Sequence, residues 1–337
     1  MMMDSSPNIS IIIPTYRRRD SIARCLRALQ QQTLPAERYE VIVVVDGAED
    51  GTRELVAEFR APYQLQGIWQ PNGGRAAAIN QGLRAASGML LILLDDDMEP
   101  AEGFVAAHWQ AHRAAGRLGV MGAAPIILTK AAPPLVTHYI GPKFNQHLER
   151  LARPDHSLVL RDFYSGNFSV QRAVLLEVGG FDEAFKVYGN EDLELSYRLT
   201  RAGVRLAYCA EALAFQHYTK DFCALARDTI AKGQTAVLLA SKHPETLPEL
   251  QLSQYKGASF PWRLLRGAML RLARHWPRVP LLVVATARAL EPLAPGRWLR
   301  YRLTLDYCYW VGAEAALCEN RRAGQGLRSL AGLSQSR

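Results

Sequence analysis

The chain has 337 residues, 49% of them hydrophobic and 21% charged, a balance that supports a substantial core, suggests about two compact units and excludes a disordered chain. Five scattered cysteines (Cys25, Cys209, Cys223, Cys308, Cys318) include no CxxC pair, which points to a reducing compartment and away from a disulfide framework or a zinc site. The charge is uneven: residues 255–337 hold 14 Lys and Arg against 4 Asp and Glu, a net of +10 out of a chain total of +8, so residues 1–254 carry −2.

In chain order, residues 10–14 read as a β-strand and 21–31 as a helix capped near Asp20. Strands follow at 39–45, 63–69 and 89–94, with helices at 52–59 and 76–86 between them. Near-continuous β-branched runs alternating with helices predict a parallel sheet covered on both faces. Residues 132–154 contain Pro133, Pro134, Pro142 and Pro154 and read as a long loop or short hairpins. A strand at 163–170, a Gly-rich and aromatic loop at 179–190, a helix at 191–202 and a strand at 204–209 come next. After Asp221 the chain reads as helices at 222–242, 262–276, 280–293 and 298–320, separated by Pro and Gly. The expected division is an α/β domain over 1–220 and a helical region over 221–337. MMMDSSPNIS has no basic-then-apolar leader pattern, so no signal peptide is expected. No uncharged apolar run reaches about 18 residues, so no spanning helix is expected.

Ligands of such sheets sit beyond the carboxyl ends of the strands, and three expected strands deliver polar residues there: Pro14–Tyr16, Asp46 and Asp95–Asp97. The run Leu91–Leu94 leads directly into Asp95, Asp96 and Asp97. Clustered carboxylates are costly to desolvate without a cation, and hard oxygen donors suit Mg2+ or Mn2+ bridging to a diphosphate. A solvated acidic turn is the competing reading. Asp46, followed by Gly47, is placed to accept from the imide N–H of uracil or thymine; the alternative, capping the helix near Thr52, fits Asp50 better. In PNGGRAAAINQG, the small residues around Gly74 let a helix N-terminus approach an anion and Arg75 adds a cation, although no Walker motif follows. Glu191 and Asp192 open a helix, where a carboxylate serves as general base or complements the dipole. Glu194 and Arg198 are spaced as an i,i+4 ion pair. His217 reads as an imidazole ligand for an ion held by Asp97, or as a structural histidine.

Taken together, IIIPTYRR (11–18), VVVDGAEDGT (43–52), NGGRAAAINQGL (72–83), LLDDDMEP (93–100), SGNFSVQR (165–172), VGGFDEAF (178–185) and YGNEDLELSYRLTRAG (188–203) resemble the family 2 glycosyltransferases. These are inverting, nucleotide-sugar-dependent enzymes of the GT-A fold, and the resemblance covers residues 9 to about 217. It implies a Rossmann-like, mostly parallel mixed sheet flanked by helices, with the helical C-terminal region appended. It also implies that Pro14, Thr15, Tyr16, Arg17 and Asp46 hold the nucleotide. Asp95 would face the ribose and Asp97 the divalent ion, with Asp96 between them and His217 as a later metal contact. Asp192, beside Glu191, would be the catalytic base. Phe181, Asp182 and Glu183 are expected on the acceptor side, because their loop leads into Asp192. Two positions depart from the family pattern. Val45 precedes a lone Asp46, and Ile79 precedes Asn80 where many members carry Arg; either Arg75 compensates or that diphosphate contact is absent.

The expected reaction moves a glycosyl unit from a nucleoside diphosphate sugar, UDP or dTDP favoured, to a hydroxyl of a saccharide or lipid-linked acceptor with inversion, in cell-surface polysaccharide or glycolipid synthesis. Two other classes are a sugar-nucleotide nucleotidyltransferase and a non-catalytic nucleotide-sugar-binding protein. The Gly-free PTYRRR turn speaks against the first, and the intact Asp95, Asp97 and Asp192 set against the second. Leu264, Leu265, Met269, Leu270 and Leu272 lie among Arg263, Arg266, Arg271 and Arg274, and the apolar stretch 280–294 is too short to span a bilayer. This pattern suggests a cytoplasmic protein docked on the anionic inner face of the cell membrane; packing of those helices within the protein is the alternative. No nucleic acid partner is expected.

Overall fold

The computed structural model describes residues 7–113, 116–128 and 134–322. They form two compact units, one built from the chain up to 133 with 140–186 and 191–219, the other from 134–139, 187–190 and the chain from 220 onward.

In chain order the first unit begins β1 (Ile9–Thr15), α1 (Arg19–Leu29), β2 (Tyr39–Asp46), α2 (Thr52–Glu58), β3 (Gln64–Gln70), α3 (Arg75–Ala85) and β4 (Leu90–Leu94). It continues with β5 (Met98–Pro100), α4 (Phe104–Ala111), β6 (Leu118–Gly122), most of α5 (Leu135–Leu151), β7 (Asn167–Gln171), α6 (Arg172–Glu177), α7 (Glu191–Arg201), β8 (Arg205–Cys209) and β9 (Ala214–Gln216). Seven strands make one sheet in the order β3-β2-β1-β4-β7-β6-β8, and β5 and β9 form a small second sheet. β1 to β4 are mutually parallel, β7 runs antiparallel to β4 and β6, and β8 is parallel to β6.

The sequence of the central strands follows from this position. All eight residues of β2 and all five of β4 are buried, because helices cover both faces. Alternation sorts the side chains. Ile11, Ile13, Val41, Val43 and Ile92 pack in one core with Ile22, Leu26 and Leu29 of α1. Ile12, Ile42, Val44, Leu91 and Leu93 pack in the other with Ile79 and Leu83 of α3 and Leu195 and Leu199 of α7. Strand order reverses between β1 and β4, so their carboxyl ends open the crevice at which such sheets bind ligands.

Several expectations are corrected. The proline-rich segment expected as a loop is helical from Leu135 to Leu151, with Pro142 inside it; its first residues, 132 and 133, lie outside the described part. An internal proline costs about 3 kcal/mol, but Val136, Leu148 and Leu151 are buried, and Asn145 is tied to the backbone N–H and carbonyl of Ile126. The strand expected at 163–170 starts only at Asn167, because the chain bends at Ser165 and turns at Gly166 just before it. Helix α1 starts at Arg19 without a side-chain cap, and Asp20 lies inside its first turn, where it complements the dipole. The short elements β5, α4, β6 and α6 were not anticipated.

The second unit contains α8 (Phe222–Lys242), α9 (Phe260–His275), α10 (Val279–Ala289) and α11 (Arg297–Arg322). Asp221 caps α8 by accepting from the Ala224 N–H at 2.7 Å. Phe222 stacks on Tyr301 with ring centres 4.2 Å apart, and Ala236, Leu239, Tyr307, Trp310 and Ala313 are buried. Among the described residues no helix is long and apolar enough to cross a membrane.

Candidate active site

The carboxyl ends of β1 and β4, the N-termini of α3 and α7 and the turn before β7 bring together a network of carboxylates and two arginines. Asp96 and Asp97 are buried. Arg18 bridges them, with Nη1 3.2 Å from Asp96 Oδ1 and 2.9 Å from Asp97 Oδ2, and Thr15 Oγ1 donates to Asp96 Oδ2 at 2.8 Å. Arg75 forms the second bridge. Its Nη2 lies 2.9 Å from Asp95 Oδ1, and its Nη1 lies 3.0 Å from Asp192 Oδ1 and 3.8 Å from Glu191. Ser165 Oγ accepts from Arg75 at 2.9 Å and donates to Asp192 Oδ1.

Five carboxylates (Asp95, Asp96, Asp97, Glu191, Asp192) thus face two guanidiniums, a local excess of three negative charges. Burial pushes the Asp96 carboxyl up to about 7 against the pull of Arg18. Burial, then the neighbouring Asp95, raise Asp97, and Arg18 opposes them. Burial thus disfavours the charged form of both carboxylates more than Arg18 restores it.

The donor set fits a hard divalent ion. Asp95 Oδ2 accepts no hydrogen bond among the described residues, and Asp97 Oδ1 has only Gln216 Nε2 at 3.4 Å. Among the described residues no group of three or more His, Cys, Asp or Glu is placed to hold a metal ion by itself. An ion here would be held by one or two carboxylates and need substrate phosphates to complete its shell. Gly166 backs Asp95: its carbonyl accepts the Asp95 N–H at 2.9 Å, and a Cβ there would stand 2.4 Å from Asp95 Oδ2.

Other expected residues have different tasks. His217 does not join Asp97 through its ring. Nε2 lies 2.5 Å from Glu99 Oε2, and only the His217 backbone N–H reaches the Asp97 carbonyl, at 2.9 Å. Asp46 is buried, and both its oxygens are committed: Oδ1 to the Gly73 N–H and Gln70 Nε2, Oδ2 to the Gly74 N–H. Its carboxylate therefore fills the anion seat at the N-terminus of α3 that the sequence reading reserved for a diphosphate. Gly74 holds a positive φ of 87°, and a Cβ there would meet the Lys186 carbonyl at 2.8 Å, so the close turn requires glycine. Pro14 is half-buried at the end of β1, while Tyr16 is exposed beside it. Arg17 adopts a left-handed φ of 53° with its guanidinium 5.1 Å from the Tyr16 ring.

On the expected acceptor side, Phe181 is buried in the core, with the Arg75 guanidinium 5.9 Å from its ring. Asp182 Oδ1 accepts from the Ala184 N–H, and Glu183 accepts from Asn80 Nδ2 at 2.9 Å. Phe181 and Glu183 are thus drawn into packing and loop anchoring. Asn80 is the anchor, exchanging two 2.8 Å bonds with the Phe181 backbone. Glu194 is fully enclosed, and its pairing with Arg198 at 2.6 Å is accompanied by Arg198 bonds to the Val178 and Gly180 carbonyls. Arg18, Ser165 and Asn80 were missed as functional residues. The available signals were three successive arginines after the first strand, and a buried-helix Asn in an otherwise Ala-rich run.

The glycosyl transferase family 2 model matches residues 10–177, and a galactosyltransferase N-terminal domain model matches residues 147–220. The chain belongs to glycosyl transferase family 2. This family 2 chain is 28% identical over 272 residues to a validoxylamine A glucosyltransferase from Streptomyces hygroscopicus subsp. jinggangensis, covering 72% of this chain and 63% of the relative. It is 28% identical over 235 residues to a chondroitin synthase from Escherichia coli, covering 61% of this chain and 34% of that protein. The chain spans about three fifths of the length of the first curated relatives it matches. Among solved structures it resembles a mannosyltransferase from Pyrobaculum calidifontis in complex with GDP-Man and Mn2+, with a TM-score of 0.59, 23% identity and coverage of 93% of this chain and 87% of that one. It also resembles residues 1-349 of S. aureus TarS in complex with UDP-GlcNAc, with a TM-score of 0.53, 17% identity and coverage of 95% and 93%. The mostly parallel mixed sheet flanked by helices is the GT-A fold of these glycosyltransferases.

Proposed function

We propose that this family 2 chain transfers a glycosyl unit from a nucleoside diphosphate sugar to an acceptor hydroxyl with inversion, at the carboxyl edge of β1, β2 and β4. The observation that carries this reading is the five-carboxylate, two-arginine network, whose excess negative charge suits a cation-assisted diphosphate leaving group.

Asp192 is the proposed general base. The acceptor oxygen bonds to the anomeric carbon as its proton passes to Asp192, the glycosyl–phosphate bond breaks, and the electron pair leaves on the diphosphate oxygen. Arg75 and Ser165 hold Asp192 Oδ1, so Oδ2 is the oxygen available for the proton. Asp95 and Asp97 are the residues that would hold Mg2+ or Mn2+, which supplies charge neutralisation of the leaving diphosphate. The exposed Tyr16 ring and the Arg17 cation at the end of β1 suit the nucleotide. Because the Asp46 carboxylate is committed to Gly73 and Gly74, the sequence-based reason for favouring UDP or dTDP loses its support. The nucleotide is left to the test below.

The acceptor is a saccharide or a lipid-linked saccharide, in cell-surface polysaccharide or glycolipid synthesis, with the protein cytoplasmic and peripheral on the inner face of the membrane. The purified chain is to be incubated with UDP-, dTDP-, GDP- and CDP-sugars and Mn2+, and released nucleoside diphosphate measured. Turnover of one nucleotide class well above background, with the product anomer inverted, is expected. A retained anomeric configuration, or sugar 1-phosphate and nucleotide as products, would overturn the reading.

A further inference from the structure

Helix α9 is built inside out. Its two buried residues are Arg266 and Leu270, and Arg266 is only 1% exposed. The Arg266 guanidinium is sheltered by Asp306 Oδ2 at 2.7 Å, the Tyr255 carbonyl at 2.9 Å, and the rings of Tyr255 and Trp310 at 4.5 and 5.1 Å. Five large apolar side chains face the other way. Phe260 is 63% exposed, Leu264 59%, Leu265 53% and Trp276 64%, and Leu272 is exposed as well. Positions 260, 264, 268, 272 and 276 follow one another at i,i+4 along the helix, and the last of them leads into the exposed Leu281 and Leu282 of α10. Leu270 and Arg266 alone turn into the second unit's core, so burial there does not explain the exposed Phe260, Leu264, Leu265, Leu272 and Trp276. A continuous exposed apolar face with a charged rim marks an interaction surface.

The rim identifies the partner. Residues 250–290 contain seven Lys and Arg and no Asp or Glu. Arg271 and Arg278 are exposed, and neither forms an ion pair among the described residues. Arg263 lies over the Phe260 ring at 5.8 Å. A second copy of this chain docked face to face would bring two such basic rims together. A nucleic acid would leave the leucines in water. An anionic bilayer satisfies both features, its headgroups taking the arginines and its acyl boundary the apolar side chains. The length and charge of these helices suit the interface and not a span.

We infer that the outward face of α9, with the first turn of α10, is a docking surface for an anionic lipid bilayer. This rests on the proposed membrane location for its use, and not on the chemistry at the sheet edge. The test is co-sedimentation of the full chain with vesicles of equal parts phosphatidylglycerol and phosphatidylcholine, and with phosphatidylcholine alone, alongside donor turnover measured without vesicles. Binding to the anionic vesicles that weakens with salt is expected. Arg271→Gln with Arg278→Gln lowers partitioning by about 30-fold, at about fivefold for each charge near an anionic surface. Leu264→Ser with Leu281→Ser lowers it by about tenfold or more by removing inserted apolar area. All four side chains are exposed, so both variants keep the fold and the vesicle-free turnover of the parent. No binding to anionic vesicles, or equal binding by both variants, overturns the docking surface whatever the turnover. Halving of the solution mass in Leu264→Ser with Leu281→Ser also overturns it and assigns the face to self-association. Vesicle binding without turnover on any donor would instead sink the proposed reaction and leave the surface standing.

Discussion

Asp192→Asn is expected to lower turnover by about 10²–10⁴-fold while leaving donor affinity nearly unchanged. The substitution keeps an oxygen that accepts from Arg75 Nη1 and Ser165 Oγ, as Oδ1 does now, so the network and the fold remain. What disappears is the second oxygen's basicity. Asp192 is the better placed of the two adjacent carboxylates. Its side chain is 27% exposed, against 4% for Glu191, and a base must reach an acceptor entering from solvent. Steady-state kinetics with a saturating donor, paired with donor-binding calorimetry, reads both effects. Near-normal turnover in Asp192→Asn together with a large loss in Glu191→Gln would reassign the base to Glu191.

Arg75→Met is expected to destabilise the fold by about 1.5–3 kcal/mol, because removing the shared cation of a half-buried network leaves its charged hydrogen bonds unmade. The guanidinium is shared by Asp95, Glu191 and Asp192, and it ties α3 to the end of β4 and the start of α7. Met keeps most of the packing volume over Phe181, so the change isolates the charge. Urea unfolding measures it as a lower midpoint at unchanged slope. Arg75→Lys recovers only part of the loss, since one ammonium cannot reproduce the two-sided fork. An unfolding midpoint equal to the parent's would show that the bridge carries no net stability.

The central sheet was legible because its strands are buried on both faces, which forces runs such as Ile11–Ile13 and Val41–Val45 into near-continuous apolar sequence. Asp95–Asp97 stood out because they follow such a run without a break. The wiring of the site was not legible. Arg75 meets Ser165 and Asp192, 90 and 117 residues further on, and Arg18 meets Asp96 and Asp97 across 78 and 79. Local periodicity carries no information about such pairings. The partners of Asp46, Gly73 and Gly74, sit across the end of the neighbouring strand and were equally illegible. The same blindness misassigned His217, drawn to Glu99 on the strand paired with β9. In α5 the proline count suggested a loop, whereas the buried Val136, Leu148 and Leu151 decided for a helix.

The most direct measurement is calorimetric binding of the preferred nucleotide sugar to the parent chain and to Asp97→Ala, each with Mn2+ and with excess chelator. If Asp95 and Asp97 hold the ion that meets the diphosphate, the parent loses at least about tenfold in affinity on chelation, on the scale of one charge-assisted contact. Asp97→Ala then binds equally weakly in both conditions. Undiminished donor binding and turnover by the parent in excess chelator would contradict the account.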